Sequence, residues 1–112
     1  MNTLKKTFIL VAALLIATFS FSQNTSKNKV ETFKVGGACE MCKARIEKTV
    51  KVEGVTRAAW DQRTKALTVV FDPSKITLDI LQKKIAAVGH DTPKFKATIK
   101  AYNALPECCK YR

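Results

Sequence analysis

Two kinds of apolar spacing alternate along this chain, and their order restricts the folds open to it. Segments with apolar side chains at every second residue predict half-buried strands, and a spacing of three or four residues predicts amphipathic helices. Glycine or proline separates most of the segments, as is usual at element ends. The predicted elements are strand Val30–Val35, helix Glu40–Val52, strand Val55–Trp60, strand Lys65–Phe71, a helix from Leu78 with Thr77 as its N-cap and Gly89 at its end, and strand Pro93–Ile99.

The order β-α-β-β-α-β predicts an α+β fold. Adjacent strands with a short turn form a hairpin, and helices of this length cover one face of a small sheet. We therefore predict a ferredoxin-like domain over residues 30–99, a four-stranded antiparallel sheet with two helices on one face.

The N-terminus has the three parts of an export signal. Lysines precede an apolar run from Phe8 to Phe19, and small residues typical of a signal peptidase site follow it. The run has about twelve residues, fewer than the roughly 18 to 20 that span a bilayer, so a cleaved signal is favoured over a membrane anchor. We predict a signal peptide over residues 1–22, cleaved after Ser22, then a disordered leader over residues 23–29, and a periplasmic or secreted protein.

The chain is strongly basic, with a formal net charge of +11. Such a charge favours an acidic protein partner or contact with an anionic membrane surface, whereas a solvated basic surface is the simpler alternative. Nucleic acid is not expected, because the chain is predicted to be exported and its lysines are not clustered with aromatic residues.

The first predicted helix begins at a Cys-x-x-Cys pair, Cys39 and Cys42, which follows Gly36 and Gly37. One thiol should lie in the loop and the other on the first helical turn, so that both sulfur atoms can face one ligand. Unpaired N–H groups and the helix dipole favour thiolates at such an end, which predicts lowered cysteine pKa values. The pair indicates either soft-metal binding or thiol redox chemistry.

Two functions other than metal binding remain open for this pair. A periplasmic thiol–disulfide oxidoreductase also uses Cys-x-x-Cys at a helix start, and an oxidising compartment fits it. Against it, the tryptophan that commonly precedes such a pair is absent. The chain has four cysteines, so a small domain held by two disulfides is the other alternative, although the apolar pattern is sufficient for a core without them.

Four sequence anchors occur in the order and spacing of a known family. They are Gly36–Glu47, Gly54-Val55, Phe71-Asp72-Pro73 and Val88–Asp91. Together they resemble the heavy-metal-associated domain of copper chaperones, of the N-terminal arms of metal-pumping ATPases and of the periplasmic mercuric-ion binding protein. The resemblance covers roughly residues 30–99 and implies a metal carrier without catalytic residues, in which Cys39 and Cys42 are the metal ligands.

The chain departs from that family at two places. The family usually has methionine and threonine before the first cysteine, where Gly37 and Ala38 stand here, so a more mobile metal loop is expected. The second departure is the tail, residues 100–112, which carries Cys108 and Cys109. These two cysteines are candidate additional ligands or a metal relay; a disulfide, or no special role, are the alternatives.

His90 is predicted to lie in the loop beside the cysteine pair. Related chaperones have a residue there that tunes or joins the site, and imidazole binds copper and zinc, so His90 is a further candidate ligand. A solvent-exposed loop histidine without that role is the alternative. Trp60 is predicted to lie in the core.

Two thiolates favour a soft ion that tolerates low coordination. Cu(I) is the first choice and Hg(II) the second, whereas Zn(II) needs two further ligands. Lys43 and the helix N-terminus should offset the negative charge of a copper–dithiolate site. The expected partner is a membrane metal transporter or efflux component, or another metal-binding domain, and the protein is expected to be a monomer or a metal-bridged dimer.

Overall fold

The computed structural model describes residues 27–112. The predicted signal peptide and the first part of the predicted leader lie outside these residues. The described elements are β1 (Lys29–Lys34), α1 (Glu40–Val50), β2 (Val55–Trp60), β3 (Ala66–Phe71), α2 (Leu78–Ala87), α3 (Ile99–Asn103) and a 3₁₀ turn (Glu107–Cys109). The first five elements have the predicted type and order, with ends that differ from the predicted ones by at most a few residues.

The sheet is antiparallel, and β3 is its central strand. Its order is β1-β3-β2. Lys29 of β1 pairs with Phe71, whereas on the other side of β3 Trp60 pairs with Leu67. The predicted hairpin between β2 and β3 is therefore confirmed.

One face of the sheet is covered by both long helices. The alternation of β3 directs Leu67, Val69 and Phe71 into a single buried cluster. Helix α1 adds Cys42, Ile46 and Val50 to that cluster at four-residue steps, and α2 adds Leu81 and Ile85. Trp60 is also in the core, with 1% of its surface exposed. The pattern of apolar residues thus agrees with the core face of β3 and of the two long helices.

The two helix ends that flank the core follow the predicted chemistry. The side chain of Thr77 accepts a hydrogen bond from the N–H of Ile80 at 3.3 Å, which caps α2. Gly89 follows the end of that helix with φ of +107°, a conformation that glycine adopts without strain.

The predicted fourth strand, Pro93–Ile99, is wrong. Residues 93–98 form no strand, and the described part of the chain contains a three-stranded sheet. The carboxylate of Asp91 accepts a hydrogen bond from the N–H of Ala97 at 2.7 Å, and Thr92 Oγ1 accepts one from the N–H of Phe95 at 3.0 Å. Side chains thus take the backbone donors that a strand ladder requires, and Pro93 has none to give.

Helix α3 replaces the end of the predicted strand. The Oγ1 atom of Thr98 accepts a hydrogen bond from the N–H of Ala101 at 3.1 Å and caps a helix that starts at Ile99. The side chain of Ile99, the last residue of the predicted strand, is 74% exposed. The local N-cap therefore prevails over a weak strand pattern.

Between residues 27 and 112 we find no helix that has the length and apolar character needed to cross a bilayer.

We predict that Ile46→Ala lowers the free energy of unfolding by about 2–5 kcal/mol, because it leaves a cavity in the core beneath α1. Ile80→Ala is the matched control, since that helical side chain is 43% exposed, and it should cost about 1 kcal/mol or less. Guanidinium unfolding of the reduced proteins measures both. Equal losses would show that α1 does not pack as described.

Candidate metal centre

The Cys-x-x-Cys pair lies at the start of α1. Cys39 is the N-cap residue, and its carbonyl accepts a hydrogen bond from the N–H of Cys42 at 3.0 Å. The two Sγ atoms are 3.6 Å apart. Cys39 is partly exposed, whereas Cys42 is buried and belongs to the core. One thiol is therefore open to an incoming ion, and the other is fixed by the packing of the helix.

The loop before Cys39 contacts Trp60 and Gln62. A Cβ atom at Gly37 would come within 2.9 Å of Trp60 Cζ2, so only glycine leaves room for the indole ring. Trp60 Nε1 donates a hydrogen bond to the carbonyl of Val35 at 3.1 Å, and Gln62 Nε2 donates one to the carbonyl of Ala38 at 3.1 Å. These contacts anchor both ends of the loop.

The tail folds back onto this loop. The 3₁₀ turn places Cys108 Sγ 3.0 Å and Cys109 Sγ 3.3 Å from Cys39 Sγ. The sulfur atoms of Cys108 and Cys109 are 4.0 Å apart. Met41 Sδ accepts a hydrogen bond from the Cys108 thiol at 3.5 Å. All four cysteines are free thiols, and together with Met41 they form one cluster of sulfur atoms.

Among the residues that the structure describes, one group of ligand atoms is compact enough to hold a metal ion. Its members are Cys39, Cys108 and Cys109, whose sulfur atoms all lie within 4.8 Å of one another. Cys42 extends the cluster through Cys39. Thiolate sulfur is the donor that soft ions prefer, so the side chains present fit Cu(I), Hg(II) and Zn(II).

The cation nearest the sulfur atoms is Arg45. Its Nη1 atom donates a hydrogen bond to Cys109 Sγ at 3.5 Å. Lys43, which we expected in this role, instead pairs with Glu47 and donates to the carbonyl of Trp60 at 3.0 Å. The sequence spacing could not show which of Lys43 and Arg45 contacts the sulfur atoms, because that contact depends on where the tail lies.

The contacts within the cluster separate the acidities of its thiols. The hydrogen bond between the Cys39 and Cys108 thiols, 3.0 Å long, is the main reason why the pKa of Cys39 falls from 9.0 to about 6. The same hydrogen bond raises the pKa of Cys108, because once Cys39 is a thiolate a second negative charge beside it is disfavoured. Burial raises the pKa of Cys109. Cys39 is therefore the thiolate of this cluster at neutral pH.

His90 is buried, contrary to the expectation of a solvent-exposed loop residue. Its Nδ1 atom lies 2.7 Å from the carbonyl oxygen of Gly36 and donates to it, and its ring stacks on Tyr111 with centroids 5.8 Å apart. Its Nε2 atom has no hydrogen-bond partner among the described residues. Burial lowers the pKa of the imidazole, so the ring is neutral at pH 7. His90 is not part of the compact sulfur group. It supports the loop through its hydrogen bond to the carbonyl of Gly36.

A comparison with known protein families shows the family to which this chain belongs. Residues 32–91 match the model of the heavy-metal-associated domain. The chain belongs to this family. It is thus a heavy-metal-binding domain with a cysteine cluster, as the sequence anchors indicated. The matched residues include Cys39 and Cys42 but end before the tail.

Two metal-transporting ATPases are similar to this chain in sequence. The chain is 32% identical to a zinc-transporting ATPase of Synechocystis sp. over 77 residues, which cover 67% of this chain and 11% of the ATPase. It is 35% identical to a copper-exporting P-type ATPase of Staphylococcus saprophyticus over 69 residues, 60% of this chain and 9% of the ATPase. The chain therefore spans about a tenth of the length of these relatives.

The solved structure of the CopZ metallochaperone is similar over almost its whole length. It superposes with a TM-score of 0.55 at 27% identity, covering 57% of this chain and 98% of CopZ. Heavy-metal-associated domains thus occur both as small metallochaperones and as parts of transporting ATPases.

We predict that the rate of alkylation of Cys39 by iodoacetamide, in the reduced metal-free protein, rises with a midpoint at about pH 6. The thiolate is the reactive form, and a lowered pKa keeps it populated down to that pH. Cys108→Ala removes the hydrogen bond between the two thiols and should move the midpoint upward, toward the ordinary value of 9.0. Peptide mass spectrometry of quenched samples measures the rate.

Glu107→Ala is the matched control, because this exposed residue lies in the same turn as Cys108 and contacts none of the sulfur atoms. It should leave the midpoint where it is. A Cys39 midpoint that is the same in the Cys108→Ala variant would show that the tail does not set the acidity of this thiol.

Proposed function

We propose that this protein is an exported carrier of a soft metal ion, with Cu(I) as its main cargo. The observation that supports the proposal most strongly is the meeting of Cys39 and Cys42 with a further thiol at the N-terminus of α1, within a heavy-metal-associated domain. Cys39 already carries a thiolate near neutral pH, so it can take up an ion without first losing a proton to a base.

The donor set supports copper over the alternatives. Sulfur is the only donor type in the compact ligand group of the described residues, which suits Cu(I) first and Hg(II) second. Zn(II) also binds thiolates, and its transport is named in one relative, whereas copper is named in another. Cu(I) carries a single charge, so a copper site retains net negative charge that Arg45 and the helix N-terminus offset.

The proposed step is ligand exchange without chemistry on the protein. A partner's thiolate binds the ion, a thiolate of this chain leaves it, and the departing thiolate takes up a proton; no electrons move. The partially exposed Cys39 gives an incoming thiolate access. This supports a role as a carrier rather than an enzyme.

The partner that we propose is a membrane transporter or efflux component for the same ion. Heavy-metal-associated domains occur in copper-exporting ATPases and as a metallochaperone, which supports a partner whose cysteine loop takes the ion from this chain. Without the two lysines of the predicted signal peptide the formal net charge is 18 minus 9, or +9, which favours an acidic docking surface on the partner. The predicted export signal supports exchange in the periplasm or outside the cell.

We predict that the reduced chain binds one Cu(I) ion in non-denaturing mass spectrometry and that Cys39→Ser/Cys42→Ser abolishes this binding. Thr32→Ser/Thr68→Ser is a matched control, because these two threonines contact each other on the exposed side of the sheet, 3.1 Å apart. The control variant should keep the ion. If the wild-type chain binds no Cu(I), Hg(II) or Zn(II), the metal proposal is wrong and thiol redox chemistry becomes the better explanation.

We also predict that copper moves from the loaded chain to the separate heavy-metal-associated domain of a copper-exporting ATPase. Exchange between thiolate sites should be complete within minutes, much faster than dissociation of the ion into water. Separation of the two proteins, followed by copper analysis of each, measures the transfer. Transfer no faster than uptake by a small-molecule chelator would count against a carrier.

A further inference from the structure

The tail from Leu105 to Arg112 is held on the domain by contacts on both sides of its two cysteines. Leu105 precedes them and is buried in the core. Tyr111 follows them, and its hydroxyl donates to the carbonyl of Gly89 at 2.7 Å and accepts from the N–H of Asp91 at 2.8 Å. Between two such anchors the turn that carries the cysteines has a defined position over the metal loop.

Tyr111 and Arg112 hold the end of the tail against the domain, and we call this pair of residues the latch. The guanidinium of Arg112 pairs with the carboxylate of Asp91 at 2.8 Å and donates to the carbonyl of Ala97 at 2.7 Å. The ring of Tyr111 fills the space beside Gly36, where a Cβ atom would come within 2.5 Å of Cε2. The latch therefore seats the tail directly against the loop that leads to Cys39.

The spacing of the sulfur atoms fits a site with more than two ligands. With metal–sulfur bonds of about 2.3 Å, two thiolates on opposite sides of an ion are about 4.6 Å apart, whereas three or four thiolates around it are about 3.8 to 4.0 Å apart. The contacts of Cys39 Sγ to Cys42, Cys108 and Cys109 are 3.6, 3.0 and 3.3 Å, and Cys108 and Cys109 are 4.0 Å apart. A three-thiolate site requires the contacts of Cys39 with the tail thiols to lengthen by about 1 Å or less, and a linear pair requires a similar separation of Cys39 and Cys42. What favours more than two ligands is that Cys39, Cys108 and Cys109 already lie within 4.8 Å of one another, around one point.

Burial and charge also favour an ion shared by the loop and the tail. Cys109 is fully buried and faces Cys39 and the guanidinium of Arg45. While it is protonated, the buried Cys109 thiol has little favourable interaction with Arg45. As a thiolate it carries a buried negative charge, which a metal cation together with Arg45 can neutralise.

We propose that the tail is a built-in thiolate cap: Cys108 and Cys109 bind the same ion as Cys39 and Cys42, and they must leave it before the thiolates of a partner can enter. This inference rests on the proposed function. On binding, each thiol that is still protonated loses its proton to water. On release of the cap, the two tail thiolates are replaced by those of the partner and are protonated again. The cap thus retains the ion and makes its transfer depend on displacement of the tail.

X-ray absorption of the reduced full-length chain loaded with one Cu(I) tests the coordination directly. We expect three or four sulfur neighbours in the wild-type protein. In Cys108→Ser/Cys109→Ser we expect two sulfur neighbours at a shorter copper–sulfur distance. Competition with a chromogenic Cu(I) chelator should show that this variant binds copper at least about tenfold more weakly, since it has lost ligands.

A second variant separates the position of the tail from the chemistry of its thiols. Tyr111→Phe/Arg112→Gln keeps all four cysteines but removes the Tyr111 hydroxyl and the Arg112 guanidinium, which make the side-chain hydrogen bonds of the latch. We expect weaker copper binding and faster loss of copper to the chelator. Arg57→Gln, an exposed change on β2, is its control and should behave as the wild type.

The outcomes distinguish the cap from the carrier itself. Two sulfur neighbours in the wild type, together with unchanged affinity in Cys108→Ser/Cys109→Ser, would overturn the cap. The carrier proposal would survive that result if Cys39→Ser/Cys42→Ser still abolished binding. Absence of copper binding by the wild type would overturn both.

Discussion

The packing of α1 against the sheet is the interaction on which the metal centre depends. Cys42, Ile46 and Val50 lie on one stripe of the helix and are all buried against the strands. Because Cys42 belongs to this stripe, its sulfur atom has a fixed place relative to the core. The N-terminal end of the helix is then fixed as well, and Cys39 at the N-cap lies beside the thiol of Cys42. A proposed metal ligand and a core residue are here the same side chain.

The side chains that surround this helix end come from distant parts of the sequence. Trp60 from β2 supports the loop, His90 supports it from the segment after α2, and Arg45 from α1 faces the sulfur atoms. Trp60 and His90 are near this helix end only because of the tertiary fold, since they are far from Cys39 in the sequence. The acidity of Cys39 is similarly a property of the assembled fold, because the hydrogen-bond partner that lowers its pKa comes from the tail.

The periodic parts of the sequence predicted the core well. The alternation in β3 and the four-residue steps in α1 each have a single burial solution, and the capping residue Thr77 marks the start of α2. The segment after Pro93 was predicted wrongly, since alternation of three apolar residues is weak evidence when side chains such as Asp91 and Thr92 compete for the backbone donors.

The candidate site was predicted in part for a related reason. Cys39 and Cys42 lie in one local motif, so their proximity follows from chain geometry. The proximity of Cys108 depends on a tail whose path is fixed by long-range contacts, such as those of Arg112 with Asp91. The burial of His90 likewise depends on stacking with Tyr111. Sequence spacing carries no signal for contacts of this kind, although the adjacent cysteines near the C-terminus did indicate that the tail needed an explanation.

The distance along the chain between the two halves of the cysteine cluster has a thermodynamic consequence. Cys39 and Cys108 are 69 residues apart, so an ion bound to both closes nearly the whole domain into a loop. A cross-link of that length lowers the conformational entropy of the unfolded chain by an amount worth about 4 kcal/mol in the loop-closure model. The cargo would then act as a removable staple, and each delivery would return the protein to its less stable state.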